Sequence, residues 1–405
     1  MVQALTLPVV VLTYIGIAIG KYPKLRMNRA TIALAGAATL IVAGVMPLER
    51  ATAALDADTL ILLFAMMIIN AHLKLAGFFG WVGALVLRFA RSPRALLAWI
   101  IMASGILSAL FLNDTVVLVL TPLVLEIALT QKRDPIPYLI GLVTAANIGS
   151  TATITGNPQN ALIGMSSHIS FVSFLASLAP VSIAGLVIAW AVVIRAYRAE
   201  FADARLDRQL SPAARLYTPL LYKTLALLAV MLLAFLAGMP VPLASLGVAA
   251  ALLVTRRIKP ERILSQLDWP LLIFFSGLFV VTGALSVSGL TEDLFALASP
   301  LIDAGVLPLT IVTVVLSNLV SNVPAVMLFR PLVAHLADPA RVWLTLAMAS
   351  TLAGNLTLIG SVANLIVAES ARSRGVELSF REYLRAGVPI TLLTLAVGVL
   401  WLTVL

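Results

Sequence analysis

A polar stretch interrupts an apolar region in the first half of this chain. Residues 144–163 read TAANIGSTATITGNPQNALI, in which amides, hydroxyls, two glycines and a proline lie close together. Glycine and proline break α-helices, and inside a membrane the freed backbone N–H and C=O groups find no water to bond. Such a break is tolerated only inside protein or beside a wet cavity, and paired breaks in matching places of two halves are typical of a transporter's binding site. The stretch therefore predicts an internal site, provided that a matching break exists.

The composition indicates an integral membrane protein. Of the 405 residues, 61% are hydrophobic and 11% are charged, whereas soluble domains carry roughly 25% charged residues. The net charge of +9 comes from Lys and Arg in short loops, which is typical of cytoplasmic loops and does not indicate a nucleic-acid partner. The chain has no Cys, so disulfides, zinc–thiolate sites and thiol chemistry are excluded.

Apolar runs long enough to cross a bilayer recur along the chain. We predict an all-α membrane fold with about ten spans, each on the order of 20 residues. They lie near 5–21, 30–47, 58–78, 138–165, 170–194, 218–238, 241–255, 269–289, 342–369 and 386–405. The spans at 138–165 and 342–369 are predicted to be discontinuous, and two further apolar segments, about 95–130 and 305–336, are predicted to be re-entrant hairpins.

The two halves of the chain resemble each other. LSALFLNDTVVLVLTPLV (107–124) aligns with LSNLVSNVPAVMLFRPLV (316–333), and the stretch around Gly156 aligns with TLAGNLTLIGSVANLIVA (351–368). If the basic loops face the cytoplasm, both termini lie outside and the matched segments have opposite orientations. Inverted repeats of this kind are the architecture of many secondary transporters. We predict a first inverted repeat at 1–199, a cytoplasmic connector at 200–217 and a second inverted repeat at 218–405.

The predicted hairpin tips carry polar residues that suit a binding site. The first tip is Asn113-Asp114-Thr115, and the second is Ser321-Asn322-Val323. An ionisable residue near the bilayer centre usually marks an ion or proton path, although Asp114 could simply cap a helix that begins at Val116. Because Val323 takes the place of Asp114 in the second half, any coupling carboxylate comes from the first. We predict that the substrate is held by residues of both tips and both breaks: Asn113, Thr115, Ser321, Asn322, Asn157 and Ser361.

Ion or proton coupling is predicted to use Asp114 together with neutral oxygen groups of the two broken helices. These groups are hard donors of the kind that hold Na⁺ or bond a hydroxylated solute, and Na⁺ is possible at the hairpin tips. The alternative is a helix kink with no ligand role. The predicted coupling residues are Asp114, Ser150, Thr151, Thr153, Gly156, Asn160, Asn355, Thr357, Gly360 and Asn364.

Other charged and polar residues are open to more than one interpretation. Lys74 is expected to extend towards the membrane interface, His72 is expected to be a packing residue, and Asp56 is expected to cap the following span. Arg330 either balances Asp114 or reaches the outer surface. The chain has no G-x-x-x-x-G-K-[ST], H-E-x-x-H or G-x-S-x-G motif, so neither an ATP site nor an enzyme is indicated.

The NDTVVLVLTPLV and ANIGSTATITGNPQNALI blocks resemble the ion transporter superfamily, which includes arsenite permeases, sodium/proton antiporters of that fold and dicarboxylate/sodium symporters. They are most similar to its arsenite-permease-like and plant silicic acid efflux branch. The resemblance covers essentially the whole chain and implies an elevator-type mechanism and often a dimer. In the dicarboxylate symporters both tips carry Ser-Asn-Thr, which Asn113-Asp114-Thr115 and Ser321-Asn322-Val323 match only in part.

These observations predict a secondary active transporter rather than an enzyme. Its expected solute is a small inorganic oxyanion or its neutral hydroxylated acid, such as arsenite or silicic acid, exported by cation-coupled alternating access. The alternatives are a sodium/proton antiporter and a sodium-coupled carboxylate transporter. No cofactor is expected beyond Na⁺ or H⁺ as coupling ion, and a homodimer in the inner (plasma) membrane is expected. A membrane enzyme and a channel are disfavoured.

Overall fold

The computed structural model describes residues 2–20, 26–202, 216–254, 258–291, 304–333 and 338–405, with residues 293, 296, 300 and 336. All regular secondary structure in these residues is helical. The helices are α1 Val2–Ile19, α2 Arg29–Val42, α3 Leu48–Ala54, α4 Ala57–Ala76, α5 Phe78–Phe89, α6 Pro93–Leu110, α7 Asn113–Thr130, α8 Pro135–Ser150, α9 Pro158–Ser167, α10 Phe171–Ala196, α11 Thr218–Leu236, α12 Val241–Leu253, α13 Pro260–Leu264, α14 Trp269–Val287, α15 Val306–Val320, α16 Asn322–Val333, α17 Pro339–Ala353, α18 Val362–Arg372 and α19 Phe380–Val404. Most of the predicted connector at 200–217 falls outside the described residues, as do predicted span ends 21 and 255 and hairpin positions 334 and 335.

The predicted all-helical membrane fold is confirmed. Within the described residues, seven helices are long and apolar enough to cross a bilayer: α4, α6, α7, α10, α11, α14 and α19. The other predicted spans correspond to shorter apolar helices or to the halves of broken ones. Sequence analysis did not predict α5 or the short helices α3 and α13.

Both predicted broken helices are present. The first runs as α8 and α9 with a break at 151–157, and the second as α17 and α18 with a break at 354–361. Local chemistry explains where each second half begins, because Asn157 accepts a bond from Asn160 N at 2.8 Å and Ser361 accepts one from Ala363 N at 3.2 Å. Such caps supply acceptors to backbone N–H groups in the first turn, which have no partner within the helix.

Both predicted hairpins are also present. The arms α6 and α7 are joined by residues 111 and 112, and the arms α15 and α16 meet at Ser321. Each arm of the first hairpin has 18 residues, whereas the arms of the second have 15 and 12. Ser321 has a φ of +79°, a backbone conformation that L-residues rarely adopt and that often accompanies a functional site.

Two equivalent asparagines close the helix breaks. Asn160 Nδ2 donates to the carbonyl oxygens of Ser150 and Thr153, both at 3.0 Å, and lies 3.3 Å from that of Thr151. In the second half, Asn364 Nδ2 donates to the carbonyl oxygens of residues 354 and 357 at 2.7 and 2.9 Å. These bonds satisfy carbonyl groups that would otherwise be buried without a donor.

The space inside the first break is too small for a side chain. A Cβ atom added to Gly156 would lie 2.4 Å from Ser150 O and 2.8 Å from Ser108 O. The contact with Ser108 comes from α6, so the break and the first hairpin approach each other at backbone distance. Glycine is therefore required here by close packing of the two segments.

Packing of the helices, both within and between the halves, follows the sequence repeat. Helix α2 packs along α14, and its counterpart α12 packs along α4; likewise α6 packs along α8 and α15 along α17. The second arm of each hairpin also contacts the second half of the opposite broken helix, α7 with α18 and α16 with α9. Equivalent helices thus make equivalent contacts, as expected of two symmetry-related halves, and the two hairpins and two broken helices form one interlocked unit.

The closure of the first break can be tested by changing Asn160 to Leu. This substitution removes the only side-chain donor described for the Thr151 and Thr153 carbonyls, whereas the Ser150 carbonyl keeps Asn157 Nδ2 at 3.3 Å. Each unpaired group costs about 1–3 kcal/mol. We expect Asn160→Leu to lower the free energy of unfolding by at least about 2 kcal/mol, measured as thermal and denaturant unfolding in detergent. Thr59→Val is the control, because the buried Thr59 hydroxyl has no partner among the described residues. Equal stability of the two variants would contradict the role of Asn160.

Candidate functional site

The amide of Asn147 in α8 joins the first hairpin tip to both broken helices. Its Oδ1 accepts from Asn113 Nδ2 at 3.1 Å and from Ser361 Oγ at 3.3 Å, and its Nδ2 donates to Asn355 Oδ1 at 2.8 Å and to Asn364 Oδ1 at 3.2 Å. We call these five residues the Asn147 cluster. All are buried, and all side-chain groups in the cluster are neutral. The cluster therefore brings together four of the predicted site residues that lie far apart in sequence.

A second cluster surrounds Thr351, the residue that the repeat aligns with Asn147. Thr351 Oγ1 accepts from Asn157 Nδ2 and from Gln159 Nε2, both at 3.2 Å, and lies 3.4 Å from Asn160 Oδ1. Asn157 Nδ2 also lies 3.0 Å from Ser150 Oγ. The predicted site residues Asn157 and Asn160 therefore bond the start of α9 to α17 across the halves, and Ser150 is bonded to Asn157 within the first half.

Each hairpin is anchored to the break of its own half. In the first half, Asn113 N donates to Gly156 O at 2.9 Å, and Thr153 Oγ1 donates to Ala109 O. In the second half, Thr357 Oγ1 donates to Asn318 Oδ1 at 3.2 Å, and Asn318 Nδ2 donates to Ala353 O at 3.2 Å. The predicted coupling residues Thr153 and Thr357 thus hold equivalent positions, and each hairpin tip is tied to a helix break.

The second hairpin tip is not bonded into either cluster. Ser321 and Asn322 are half-buried, and Asn322 Oδ1 has no partner among the described residues. The remaining predicted coupling residues lie in the breaks: Thr151 Oγ1 donates to Asn147 O at 3.2 Å, and Gly360 packs against Asn318 Oδ1. Of the predicted solute-binding residues, Asn113 and Ser361 therefore meet at Asn147, whereas the side chains of Ser321 and Asn322 make no described hydrogen bond to them.

A cavity of about 120 Å³ leads to the first hairpin tip. Asp114 and Thr115 line it from α7, and α4 forms another wall. At its mouth Lys74 Nζ donates to Gln266 Oε1 at 2.9 Å. The full lining is Met67, Asn70, Ala71, Lys74, Leu112, Asp114, Thr115, Leu118, Pro158, Gln266, Asp268, Leu271 and Ile366. The cavity thus gives a small solute access to Asp114 and Thr115.

Asp114 does not cap a helix that begins at Val116, so that alternative is wrong. Helix α7 begins at Asn113, and no side chain makes a capping bond at its start. Asp114 lies in the first turn, where the helix dipole favours a negative charge, and it interacts electrostatically with Arg29 and Asp268. Its carboxylate therefore remains free to face the cavity.

Arg330 balances a different carboxylate from the one considered in the sequence. Its Nη2 lies 2.7 Å from Asp56 Oδ2, and its guanidinium lies 5.2 Å from the centre of the Phe279 ring. Asp56 also caps α4, as predicted, by accepting from Thr59 N at 3.0 Å. The pair joins the second hairpin to the start of α4, so Arg330 supplies no countercharge to Asp114.

Sequence analysis included Asn147 in the polar stretch but missed its central position, and it missed Thr351 altogether. The signal at Asn147 was an amide on an otherwise apolar helix, one turn before the break. Its partners Asn355 and Asn364 lie more than 200 positions away. Among the described residues no group of three or more His, Cys, Asp or Glu side chains could hold a metal ion.

Comparisons with known proteins agree with this architecture. Residues 14–353 match the family model described as CitMHS, citrate transporter. The chain is 33% identical to the silicon efflux transporter LSI3 of Oryza sativa subsp. japonica, with 93% of each chain covered. It is also 24% identical to the putative transporter arsB of Dictyostelium discoideum, covering 93% of this chain and 87% of that one.

Two solved structures share the fold at low sequence identity. The YdaH transporter of Alcanivorax borkumensis superposes with a TM-score of 0.60 at 16% identity, over 100% of this chain and 97% of its own. MtrF of Neisseria gonorrhoeae, from a class of antimetabolite efflux pumps, gives a TM-score of 0.62 at 12% identity, over 100% and 94%. With the family match over residues 14–353, the paired hairpins and the paired helix breaks identify the chain as a member of the CitMHS transporter family and as a secondary transporter.

Proposed function

We propose that this transporter exports a small inorganic acid that carries hydroxyl groups, with arsenous acid and silicic acid as the leading candidates. The observation that carries the proposal is the charge of the site: the amides and hydroxyls of the Asn147 cluster are neutral, and the cavity carries two carboxylates, Asp114 and Asp268, against the ammonium of Lys74, which is bonded to Gln266. A citrate ion carries several negative charges and would meet no cationic side chain in the Asn147 cluster. A neutral hydroxylated acid needs only hydrogen-bond donors and acceptors, which this site supplies.

One named relative supports the same class of solute. LSI3 is named as a silicon efflux transporter and arsB as a putative transporter. The family description names citrate, and the Ser321-Asn322 pair preserves part of the dicarboxylate symporter pattern. A carboxylate transporter is therefore the second candidate, and the site chemistry favours the neutral acid over it.

The coupling ion is proposed to act at Asp114 or beside the hairpins. In an antiport cycle, Asp114 would carry a proton inwards when the carrier is free of solute and would be deprotonated when the carrier moves the solute outwards. This cycle would couple export of a neutral solute to the proton gradient. Na⁺ is the alternative, since neutral oxygens suit this ion. Ser108 and its repeat counterpart Ser317 fit such a role because both hydroxyls are buried and unpaired among the described residues.

We further propose elevator-type alternating access, an inner (plasma) membrane location and a homodimer.

Transport by purified protein in liposomes tests the solute class. Proteoliposomes loaded with arsenite, silicic acid or citrate are diluted into buffers with an imposed Na⁺ or pH gradient, and solute release is followed. We expect gradient-dependent release of arsenite, silicic acid or both, and no release of citrate. Release of citrate alone would overturn the proposal, and Na⁺/H⁺ exchange without any solute would favour the sodium/proton antiporter.

The role of Asp114 is tested by Asp114→Asn. This change keeps the size of the side chain and removes its titratable proton, so the pH dependence of transport should disappear and the rate should fall at least about tenfold, a barrier increase of about 1.4 kcal/mol. Initial rates are measured from about pH 5.5 to about pH 8.5, so that the titration of a coupling carboxylate would be visible. Asp58→Asn is the control. Asp58 is exposed at the start of α4. An unchanged pH profile in Asp114→Asn would assign coupling to another group.

A further inference from the structure

The side chain of Asn70 in α4 is a buried amide without a described hydrogen-bond partner. The residue is only 2% exposed, yet neither Nδ2 nor Oδ1 is bonded within the described part of the chain. The buried amides of the Asn147 cluster, by contrast, are all bonded. Because an unpaired buried amide is costly, its retention at a cavity wall needs an explanation.

Asn70 lies on the face of α4 that forms the cavity wall. Four residues of α4 line the cavity: Met67, Asn70, Ala71 and Lys74. They have the three- and four-residue spacing of one helix face.

 The opposite wall is the first hairpin tip, where Asp114 and Thr115 lie. Lys74 and Gln266 are both exposed and are bonded to each other, whereas Asn70, one turn earlier in α4, is buried, so Asn70 occupies the inner part of the cavity.

We propose that Asn70 is a solute-binding and specificity-determining residue, which holds the hydroxylated solute against Asp114 and Thr115. This inference rests on the proposed function and extends its site from the hairpin to α4. An amide offers two donors and one acceptor, and a threonine hydroxyl both donates and accepts. A hydroxyl group on the solute can therefore bond Asn70 and Thr115 in either direction. The rest of the wall near Asn70, Met67 and Ala71, is apolar and adds no charge.

The neighbouring polar residues of α4 do not share this role. His72 is fully buried and its Nδ1 lies 2.8 Å from Ile68 O; its Nε2 has no partner among the described residues, but His72 does not line the cavity. The Lys74 ammonium is bonded to Gln266. Thr59 is buried on the same helix with an unpaired hydroxyl, but it does not line the cavity. Thr59 therefore provides a matched control for the loss of an unpaired polar group from α4.

The first experiment compares Asn70→Leu with Thr59→Val in arsenite and silicic acid titrations. We expect Asn70→Leu to fold with an unchanged or higher melting temperature, because it removes an unpaired amide. Its apparent Kd, from ligand-induced thermal stabilisation, and its KM for export should both rise at least tenfold. Thr59→Val should keep wild-type values. Wild-type affinity and KM in Asn70→Leu would overturn the proposal, because a residue that only binds a trapped water would leave both unchanged.

The second experiment uses the absence of Cys from the chain. Asn70→Cys and Thr59→Cys are each treated with a small, water-soluble thiol reagent, with and without silicic acid, which, unlike arsenite, does not itself bind thiols. We expect Asn70→Cys to be labelled and to be protected at least threefold by solute, and Thr59→Cys to stay unlabelled. Labelling of Asn70→Cys that is indifferent to a solute that stabilises the wild type would overturn the proposal.

Failure of the proposed function gives a different result from failure of this inference. If wild-type protein responds to citrate and to neither acid, the solute class proposed above is wrong. Asn70 is then judged with citrate: a tenfold loss of citrate affinity in Asn70→Leu would retain it as a solute contact, and unchanged citrate affinity would reject it. If wild-type protein responds to the acids and Asn70→Leu responds equally, only the role of Asn70 is rejected.

Discussion

The structure depends on how buried carbonyl groups are satisfied where two helices break. A helix crossing an apolar region satisfies its own backbone, and each break removes that arrangement for several residues. Here one asparagine in each half, Asn160 or Asn364, reaches back into the break and donates to its carbonyl oxygens. The same two side chains also accept bonds from the other half, Asn160 from Thr351 and Asn364 from Asn147. The breaks are thus stabilised and joined by the same groups.

This arrangement divides the polar residues into those that build the site and those that remain free for a solute. Both atoms of the Asn147 amide are bonded twice, and the donor group of Asn160 is fully engaged with backbone oxygens. Groups that are already bonded gain little from a solute, because each new bond replaces an existing one. The groups with spare capacity lie around the cavity and at the tips: Asp114, Thr115, Asn70 and Asn322. Solute binding is therefore best sought beside the first tip.

Much of the fold could be predicted because breaks and hairpins are local features. Gly156, Pro158 and the capping residue Asn157 mark the first break by composition alone, and the repeat then locates the second. The Asn147 cluster could not be predicted in the same way, because its bonds depend on how distant helices pack. The same limit applies to Arg330, whose partner Asp56 lies 274 positions away. The cap proposed for Asp114 failed for a local reason, since α7 begins earlier than its composition indicates.

The position of Asp114 explains why coupling and neutral-solute binding are compatible. A buried charge is costly without a partner, and Asp114 has no direct ion pair among the described residues, with Arg29 acting on it only electrostatically. The first turn of α7 offers partial compensation through its helix dipole. An anionic solute in the same cavity would add negative charge beside Asp114 and Asp268, whereas a neutral acid would add hydrogen bonds without repulsion. A proton or Na⁺ at Asp114 then balances the carboxylate itself, so the ion is needed by the carrier rather than by the solute.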